Sequence, residues 1–269
     1  MNKIPLEVQP LVAKLTEELT RVLDDNLVGI YVHGSIAMDC FNPERSDVDV
    51  LVVVNESLAV KAKKRLGSIL LAVSSKKQFP VELSVITIQQ IEHFEYPTPY
   101  EFHYGEDHRQ IFEQEEAVFD TGMTDPDLAA HFVITKKFGI TLVGPSAQSI
   151  FPDVPREFYL DSIIQDSLWS YDNIMAGPDE GSCLVPTYAI LNFCRVLAFI
   201  EDGLVLSKNA GADWGKTHLP AEFLTVILAA LNEYAETGSS PEVDCKTLKQ
   251  FAKFAHRKIV ISGRDNLIN

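Results

Sequence analysis

Three acidic residues next to or inside apolar segments are the side chains of this chain best suited to chemistry. Asp47 and Asp49 stand two positions apart at the start of the apolar segment 48–54. Because side chains alternate across a strand, both carboxylates would project from one face, about 6–7 Å apart along the backbone. Glu82 lies inside a second apolar segment, 81–86, where an unpaired carboxylate would cost several kcal/mol. Carboxylates placed in this way suit Mg²⁺, which prefers hard oxygen ligands.

A turn that suits phosphate groups precedes the acidic pair. Gly34 and Ser35 follow the apolar segment 27–33, and successive N–H groups with a hydroxyl can hold the oxygens of a triphosphate. Ser46 stands directly before the pair, where it can add a phosphate contact or cap the strand. Each pattern is weak alone, since an Asp-x-Asp pair is usually a turn cap and a strand glutamate usually faces water. Their order along the chain nevertheless indicates a two-metal site for in-line displacement at phosphorus.

The elements that must position these residues follow from the hydrophobic pattern. Helical spacing predicts helices over Leu6–Leu23 and about Leu58–Val73. Short β-branched segments predict three strands, at Leu27–His33, Val48–Val54 and Val81–Ile86. Beyond the proline-rich segment 144–155, where we predict a linker, helical spacing recurs in three further segments, Ala189–Phe199, Ala221–Tyr234 and Lys246–Ile259. No segment beyond the linker is convincingly strand-like.

These patterns predict an α+β protein of two domains. The first, over residues 1–150, combines a mixed sheet with helices. The second, over residues 156–269, is expected to be an all-α helical bundle.

The charge balance argues against nucleic acid as a partner. The chain has 38 acidic and 23 basic residues and a formal net charge of −15, whereas binding to nucleic acid depends on lysine and arginine neutralising phosphates. A cationic small molecule fits this surface better, although acidity by itself also keeps a protein soluble.

Cysteine spacing and the absence of long apolar segments indicate the compartment. None of the four cysteines (Cys40, Cys183, Cys194 and Cys245) forms a C-x-x-C pair, so we expect reduced thiols rather than a metal cage or a disulfide framework. The N-terminal residues lack a signal-peptide core, and no segment reaches the roughly 20 apolar residues that span a bilayer. We therefore expect a cytoplasmic monomer with no membrane partner.

The segment 34–49 resembles the signature of the DNA polymerase β-like nucleotidyltransferase superfamily, in which Gly-Ser is followed by a spacer and Asp-x-Asp. Over nearly its full length the chain is similar to the aminoglycoside adenylyltransferases that act on streptomycin and spectinomycin. The motifs that carry this resemblance are HGSIAMDCFNPERSDVDVLVVV (33–54), FPVELSVI (79–86), PTPYEFHYGEDH (97–108) and LNFCRVLAFIEDGLVLSKNAGADWG (191–215). The resemblance implies an N-terminal polymerase β-like nucleotidyltransferase domain and a helical domain that closes around ATP.

The resemblance also implies a role for each matching residue. The Mg²⁺ ligands would be the three carboxylates Asp47, Asp49 and Glu82, with Glu82 also acting as the general base that takes the proton of the substrate hydroxyl. Contacts to ATP would come from Gly34, Ser35, Ser46, Arg195 and Lys208. The implied reaction is the transfer of AMP from ATP to a hydroxyl of a small cationic substrate.

Departures from the family pattern bear on the loop and on the acceptor. Asp39 stands where the superfamily has a second glycine, and because aspartate tolerates left-handed backbone we expect the loop to be retained. Asp107 replaces an aromatic residue of the streptomycin-modifying relatives, and the acid that they place before Arg195 is missing, so Asp179 and Glu180 are candidates to substitute for it. We therefore favour spectinomycin over streptomycin as the acceptor, with drug resistance as the outcome.

Two other functions agree with the same residues. The acceptor can be another metabolite or a hydroxyl on a protein, or the chain can be a regulator that binds a nucleotide without turnover. The presence of all three acids argues against the regulator.

Overall fold

The computed structural model describes residues 3–74, 79–114, 116–119, 122–235 and 241–265. Residues 262–265 are described through the backbone alone. The chain divides into two compact units, residues 1–154 and 155–269. The first is built around a mixed sheet and the second is helical. The predicted α+β class is therefore confirmed.

The first unit contains a central five-stranded sheet with helices on both faces. Its strands are β1 (Leu27–Val32), β2 (Val48–Val54), β3 (Val81–Thr87), β4 (Thr98–Pro99), β5 (Phe102–Tyr104), β6 (Thr124–Asp125) and β7 (Ile140–Val143). Its helices are α1 (Gln9–Leu23), α2 (Gly34–Ala37), α3 (Val60–Val73), α4 (Ile88–Glu92), α5 (Arg109–Glu113), α6 (Leu128–Phe138) and α7 (Ala147–Ile150). The sheet order is β5-β3-β2-β1-β7, and β4 pairs separately with β6. Only β2 and β3 are parallel neighbours in the central sheet.

The central strands are buried on both faces, which their continuous apolar sequences explain. On one face, Val50 belongs to a core cluster that includes Leu19 of α1 and Leu66 of α3. On the other face, Leu51 belongs to a second cluster that includes Phe132 of α6. Each such side chain contributes roughly 1.5–3 kcal/mol on burial, so the two clusters fix the sheet between its helices.

The proline-rich segment that the sequence predicted as a linker is partly folded into the first unit. Ala147 and Phe151 are buried there. The ring centroid of Phe151 lies 5.1 Å from that of Tyr31 and 5.3 Å from that of Phe132. The linker prediction is wrong for these residues because apolar side chains of the segment pack into the core of the first unit despite its prolines.

The second unit packs its helices around α9. Its elements are α8 (Arg156–Ala176), β8 (Ser182–Leu184), α9 (Thr187–Asp202), α10 (Lys208–His218), α11 (Leu224–Ala235), β9 (Glu242–Asp244) and α12 (Cys245–Asp265). Helices α8, α10, α11 and α12 all contact α9, whose apolar side chains are largely buried. Within the described ranges, no helix is both long and apolar enough to cross a bilayer.

Helix α8 escaped the sequence prediction because its buried side is mixed. Ser162, Ser167 and Ser170 are buried together with Ile164 and Ile174. Small polar residues on the inward side interrupt the apolar period from which a helix is recognised in a sequence.

The helical unit also contains a short two-stranded sheet and a disulfide bond, contrary to expectation. Strand β8 pairs antiparallel with β9, with Cys183 opposite Val243. This pairing brings Cys183 next to Cys245, and the two form a disulfide with Cα atoms 5.2 Å apart. The expectation of reduced thiols is wrong for this pair because 62 residues separate them in the sequence, a spacing that carries no signal.

Candidate active site

The parallel pairing of β2 and β3 brings the predicted acids together. Asp49 lies directly opposite Glu82 in this register, and period-two alternation puts Leu51 and Ile86 on the same face of the sheet. Leu51 and Ile86 are fully buried, so the two carboxylates lie where an apolar surface ends. Asp47 stands two positions before Asp49 and is close enough to Glu82 to raise the pKa of that carboxyl.

The turn after β1 is packed directly against this acidic pair. Gly34 has a positive φ of 56°, and a Cβ built there would lie 1.8 Å from Oδ2 of Asp49. The backbone N–H of His33 donates a hydrogen bond of 3.0 Å to the carbonyl oxygen of Asp49. Glycine is therefore required at position 34 both for its backbone conformation and for the close approach of a carboxylate.

The two predicted phosphate-binding serines have different surroundings. Oγ of Ser46 accepts a hydrogen bond of 3.0 Å from the backbone N–H of Asn42, so this hydroxyl stabilises the loop before β2. Oγ of Ser35 is buried and has no hydrogen-bond partner within the described part of the chain. A buried hydroxyl without a partner costs about 1–3 kcal/mol, so Ser35 would gain by donating to a ligand oxygen, and Ser46 can donate to one while it accepts from Asn42.

Asp39 occupies the position at which the superfamily has a glycine, and its backbone is left-handed, with a φ of 57°. Aspartate is among the residues that adopt this region most readily. The expectation that the loop is retained without the glycine is therefore confirmed.

Burial and negative neighbours raise the pKa of Glu82 to about 7. Burial is the largest cause, and the charge of Asp47 is the next. Asp125, Asp127 and Asp107 contribute further in the same direction. A carboxyl in such surroundings binds either a proton or a cation near neutral pH.

Asp125 and Asp127 were missed by the sequence analysis. Asp125 ends β6, and its Oδ1 accepts a hydrogen bond of 2.8 Å from the backbone N–H of Asp127, the N-cap residue of α6. In a sequence, two acids around a proline before a helix are typical of a turn or cap. Only the fold reveals that they lie near Glu82.

Two histidines near the acids are neutral at pH 7. His33 is buried, with its ring centroid 4.8 Å from that of His131, and burial together with that neighbour holds its pKa well below the ordinary value. Nδ1 of His103 is hydrogen-bonded at 2.9 Å to Oγ of Ser84, which lies two positions after Glu82. Burial, the largest of several influences, also lowers the pKa of His103. These rings therefore do not offset the negative charge of the carboxylates.

The residues present fit Mg²⁺ that is shared with a phosphate-bearing substrate. In the ranges that the structure describes, no three His, Cys, Asp or Glu side chains are arranged so as to hold a metal ion alone. Mg²⁺ usually binds one or two carboxylates and completes its coordination with substrate phosphates and water. The oxygens of Asp47, Asp49 and Glu82 are of the required type, and their unbalanced charge favours a cation.

The two predicted nucleotide-binding cations lie near one another in the helical unit. Nη2 of Arg195, on α9, donates a hydrogen bond of 2.8 Å to Oδ1 of Asn192, and its buried Nε has no hydrogen-bond partner among the described residues. A Cβ at Gly211 would lie 2.7 Å from Cγ of Arg195, so the arginine packs against α10. Lys208 begins α10, one helical turn before Gly211.

The predicted substitutes for the missing acid lie at the end of α8. The carboxylate of Asp179 forms an ion pair of 2.7 Å with Lys249, whose ammonium also binds two carbonyl oxygens at that helix end. Lys249 holds the pKa of Asp179 below its usual value, and Glu180 is exposed beside it. A different acid, Asp166, lies near Arg195: its carboxylate accepts a hydrogen bond from Asn192, the partner of that arginine. The sequence analysis did not single out Asp166.

We expect Gly34→Ala to destabilise the protein more than Gly203→Ala. Both glycines have positive φ values, 56° and 68°, but no atom lies within 4 Å of a Cβ at Gly203. Gly203→Ala, which serves as the control, should therefore lose only roughly 1–2 kcal/mol of stability, from left-handed backbone strain. Gly34→Ala should lose a further 1–3 kcal/mol or so from its collision with Asp49. Urea denaturation measures both, and equal losses would contradict the close packing of the turn on Asp49.

We also expect Glu82→Gln to stabilise the protein in the presence of a chelator at about pH 8. Because the pKa of Glu82 is raised from 4.5 to about 7 in the fold, its ionisation destabilises the folded state progressively as pH rises through that window. Removing the charge should therefore raise the free energy of unfolding by about 1–3 kcal/mol at pH 8 and clearly less near pH 5. Glu92→Gln, at an exposed position, is the control, and a Glu82→Gln variant without the pH-dependent gain would refute the raised pKa of Glu82.

Two family models match the chain. One, described as a nucleotidyltransferase domain, matches residues 13–118. The other, described as the C-terminal domain of aminoglycoside adenylyltransferase, matches residues 149–258.

Individual relatives match over most of their length. A spectinomycin 9-adenylyltransferase from Staphylococcus aureus is 33% identical over 87% of this chain and 86% of its own. An aminoglycoside (3'') (9) adenylyltransferase from Escherichia coli is 26% identical, with 93% of each chain covered. The crystal structure of a spectinomycin adenyltransferase from Enterococcus faecalis, solved with ATP and spectinomycin, shares the fold, with a TM-score of 0.77 at 23% identity over 94% of this chain and 99% of that one. An identity of 33% sustained over 87% of the chain shows that this protein is a nucleotidyltransferase of the aminoglycoside adenylyltransferase family.

Proposed function

We propose that this protein transfers AMP from ATP to a hydroxyl of spectinomycin or a similar amino-bearing alcohol and so confers resistance to the drug. The observation that carries the proposal is the register of β2 and β3, which sets Asp49 opposite Glu82 beside the Gly34 turn. The relative from Staphylococcus aureus, a spectinomycin 9-adenylyltransferase, supports the choice of acceptor. The enterococcal structure with ATP and spectinomycin supports ATP as the co-substrate.

Asp47, Asp49 and Glu82 are the residues that would hold Mg²⁺. When bound, the ion would stabilise negative charge on the triphosphate and on the departing pyrophosphate. The carboxylates in turn supply the charge that attracts it, since neutral His33 and His103 leave that charge unbalanced.

Glu82 is the proposed general base. As the acceptor oxygen bonds to the α-phosphorus, the bond from that phosphorus to the bridging oxygen of pyrophosphate breaks. The proton of the hydroxyl passes to the carboxylate of Glu82. Without a metal ion, burial and neighbouring carboxylates raise the pKa of Glu82 to about 7, so this carboxylate is intrinsically a stronger base than an exposed glutamate.

Contacts to the triphosphate are assigned to the Gly34 turn and to the two cations of the helical unit. Both serines can donate to a phosphate oxygen, because the hydrogen bond that Oγ of Ser46 accepts from the loop does not use its O–H. The Nε–H of Arg195 has no protein partner within the described ranges and can therefore donate to a phosphate oxygen. Lys208 is assigned to the same ligand as a point charge.

Ammonium groups of the acceptor are proposed to meet the acids around Glu82. Asp107 belongs to this group because its charge acts on Glu82. Asp125 and Asp127, which directly precede α6, add to it. Asp179 and Glu180 are weaker candidates, since Asp179 would have to give up its ion pair with Lys249. An acid in place of an aromatic residue at position 107 favours spectinomycin over streptomycin.

The remaining expectations from the sequence are part of the same proposal. We infer a monomer that acts in the cytoplasm on ATP and a small cationic substrate, without nucleic acid as a partner. The formal net charge of −15 supports the preference for a cation.

The acceptor is tested by a two-drug assay. The purified protein with ATP and Mg²⁺ should release pyrophosphate and form an AMP adduct with spectinomycin, detected by mass spectrometry, but not with streptomycin. A chelator should abolish the signal. Adducts with neither drug, or with streptomycin alone, would contradict the proposed acceptor.

The base is tested by Glu82→Gln. This substitution keeps the size of the side chain but removes its ability to accept a proton, so AMP transfer should fall by roughly 10²–10⁴-fold. Binding of ATP, followed by calorimetry, should persist. The exposed Glu92→Gln serves as the matched control, and retained transfer in Glu82→Gln would remove the base assignment.

A further inference from the structure

One carboxylate in the helical unit connects to both of the cations assigned to the nucleotide. Asp166, on α8, accepts a hydrogen bond from the hydroxyl of Tyr188 and another, at 3.3 Å, from Nδ2 of Asn192. Tyr188 and Asn192 are four residues apart on α9, so they face the same side of that helix. Each of them contacts one of the two cations.

The first connection runs through a buried amide. Asn192 is 2% exposed, and its Nδ2 donates to Oγ of Ser167 at 3.4 Å as well as to Asp166. Because both N–H groups of the Asn192 amide are directed at α8, its Oδ1 is directed at Arg195. Oδ1 accepts a hydrogen bond of 2.8 Å from Nη2 of that arginine. The carboxylate of Asp166 therefore sets the orientation of the amide, and the amide holds one edge of the guanidinium.

The second connection runs through an aromatic ring. Nζ of Lys208 lies 5.0 Å from the ring centroid of Tyr188 and 5.6 Å from that of Tyr234. Tyr234 is buried, whereas Tyr188 is 46% exposed, so packing alone does not fix the ring of Tyr188. The hydrogen bond from its hydroxyl to Asp166 orients the ring against the ammonium.

We propose that Asp166 is a positioning residue that orients Arg195 through Asn192 and Lys208 through Tyr188. The inference rests on the proposed role of these two cations in binding ATP. A carboxylate near a triphosphate opposes binding by its charge. The presence of Asp166 beside both cations is explained if repulsion costs less binding free energy for ATP than the orientation of Arg195 and Lys208 contributes.

The experiment measures the dissociation constant of a non-hydrolysable ATP analogue with Mg²⁺ by calorimetry, together with KM for ATP and for the acceptor. Asp166→Ala should weaken analogue binding by about tenfold, the equivalent of one hydrogen bond to a charged group. Asp166→Asn keeps the shape and one acceptor oxygen, so it should restore most of the affinity. KM for ATP should rise in Asp166→Ala while KM for the acceptor stays within twofold or so of its original value. Asp172→Asn, exposed on the same helix, is the control.

Double-mutant cycles separate the two connections. Tyr188→Phe removes only a hydroxyl, and its effect on analogue binding should disappear in a Lys208→Ala background. The effect of Asn192→Ala should likewise disappear in Arg195→Ala. Tyr188→Phe is at a half-exposed position, so it keeps the test valid even if Asp166→Ala fails to fold.

The outcomes distinguish this inference from the function on which it rests. If Arg195→Ala and Lys208→Ala leave analogue binding intact, the nucleotide assignment itself is wrong. If those two variants weaken binding while Asp166→Ala leaves or improves it, the positioning role is overturned. A change confined to KM for the acceptor would also overturn it, since Asp166 would then contact the acceptor.

Discussion

The burial of several carboxylates close to one another is the constraint on which the site depends. Asp49 and Glu82 are held opposite each other, Asp47 adds a third charge, and the nearby rings of His33 and His103 are neutral. In water these charges would separate, but the sheet holds them together at a cost to stability. In the proposed function, that cost would be recovered when Mg²⁺ and an ammonium-bearing acceptor supply positive charge, so the same arrangement would select both.

The fold supplies the rigidity that this arrangement requires. Continuous apolar sequences bury β2 and β3 on both faces, and a strand buried in this way cannot slip by one residue without moving each side chain into the core cluster on the opposite face. The register that sets Asp49 opposite Glu82 is therefore fixed by the buried apolar residues that follow Asp49 in β2, such as Val50 and Leu51. Gly34 then brings the turn that we propose to bind phosphate within contact of Asp49.

The sequence was informative where local pattern decides structure. The strand at Val48–Val54 and the helix ending at Val73 follow from apolar spacing, and the position of Asp49 on β2 follows from period-two alternation. The features that the sequence did not predict depend on contacts between distant segments. The disulfide of Cys183 and Cys245 requires the β8–β9 pairing, and the link from Asp166 to Asn192 requires the packing of α8 on α9. No local spacing encodes either one. The roles of the individual site residues remain predictions.

The central claim is that Asp47, Asp49 and Glu82 gather around divalent cations beside the triphosphate of ATP. A crystal structure with Mn²⁺ and a non-hydrolysable ATP analogue tests it most directly, because anomalous scattering locates the ions independently of the protein model. The account predicts Mn²⁺ about 2 Å from carboxylate oxygens of this trio, with the remaining ligands from the phosphates. Mn²⁺ bound away from these residues, or Glu82 turned away from Asp47 and Asp49, would contradict it.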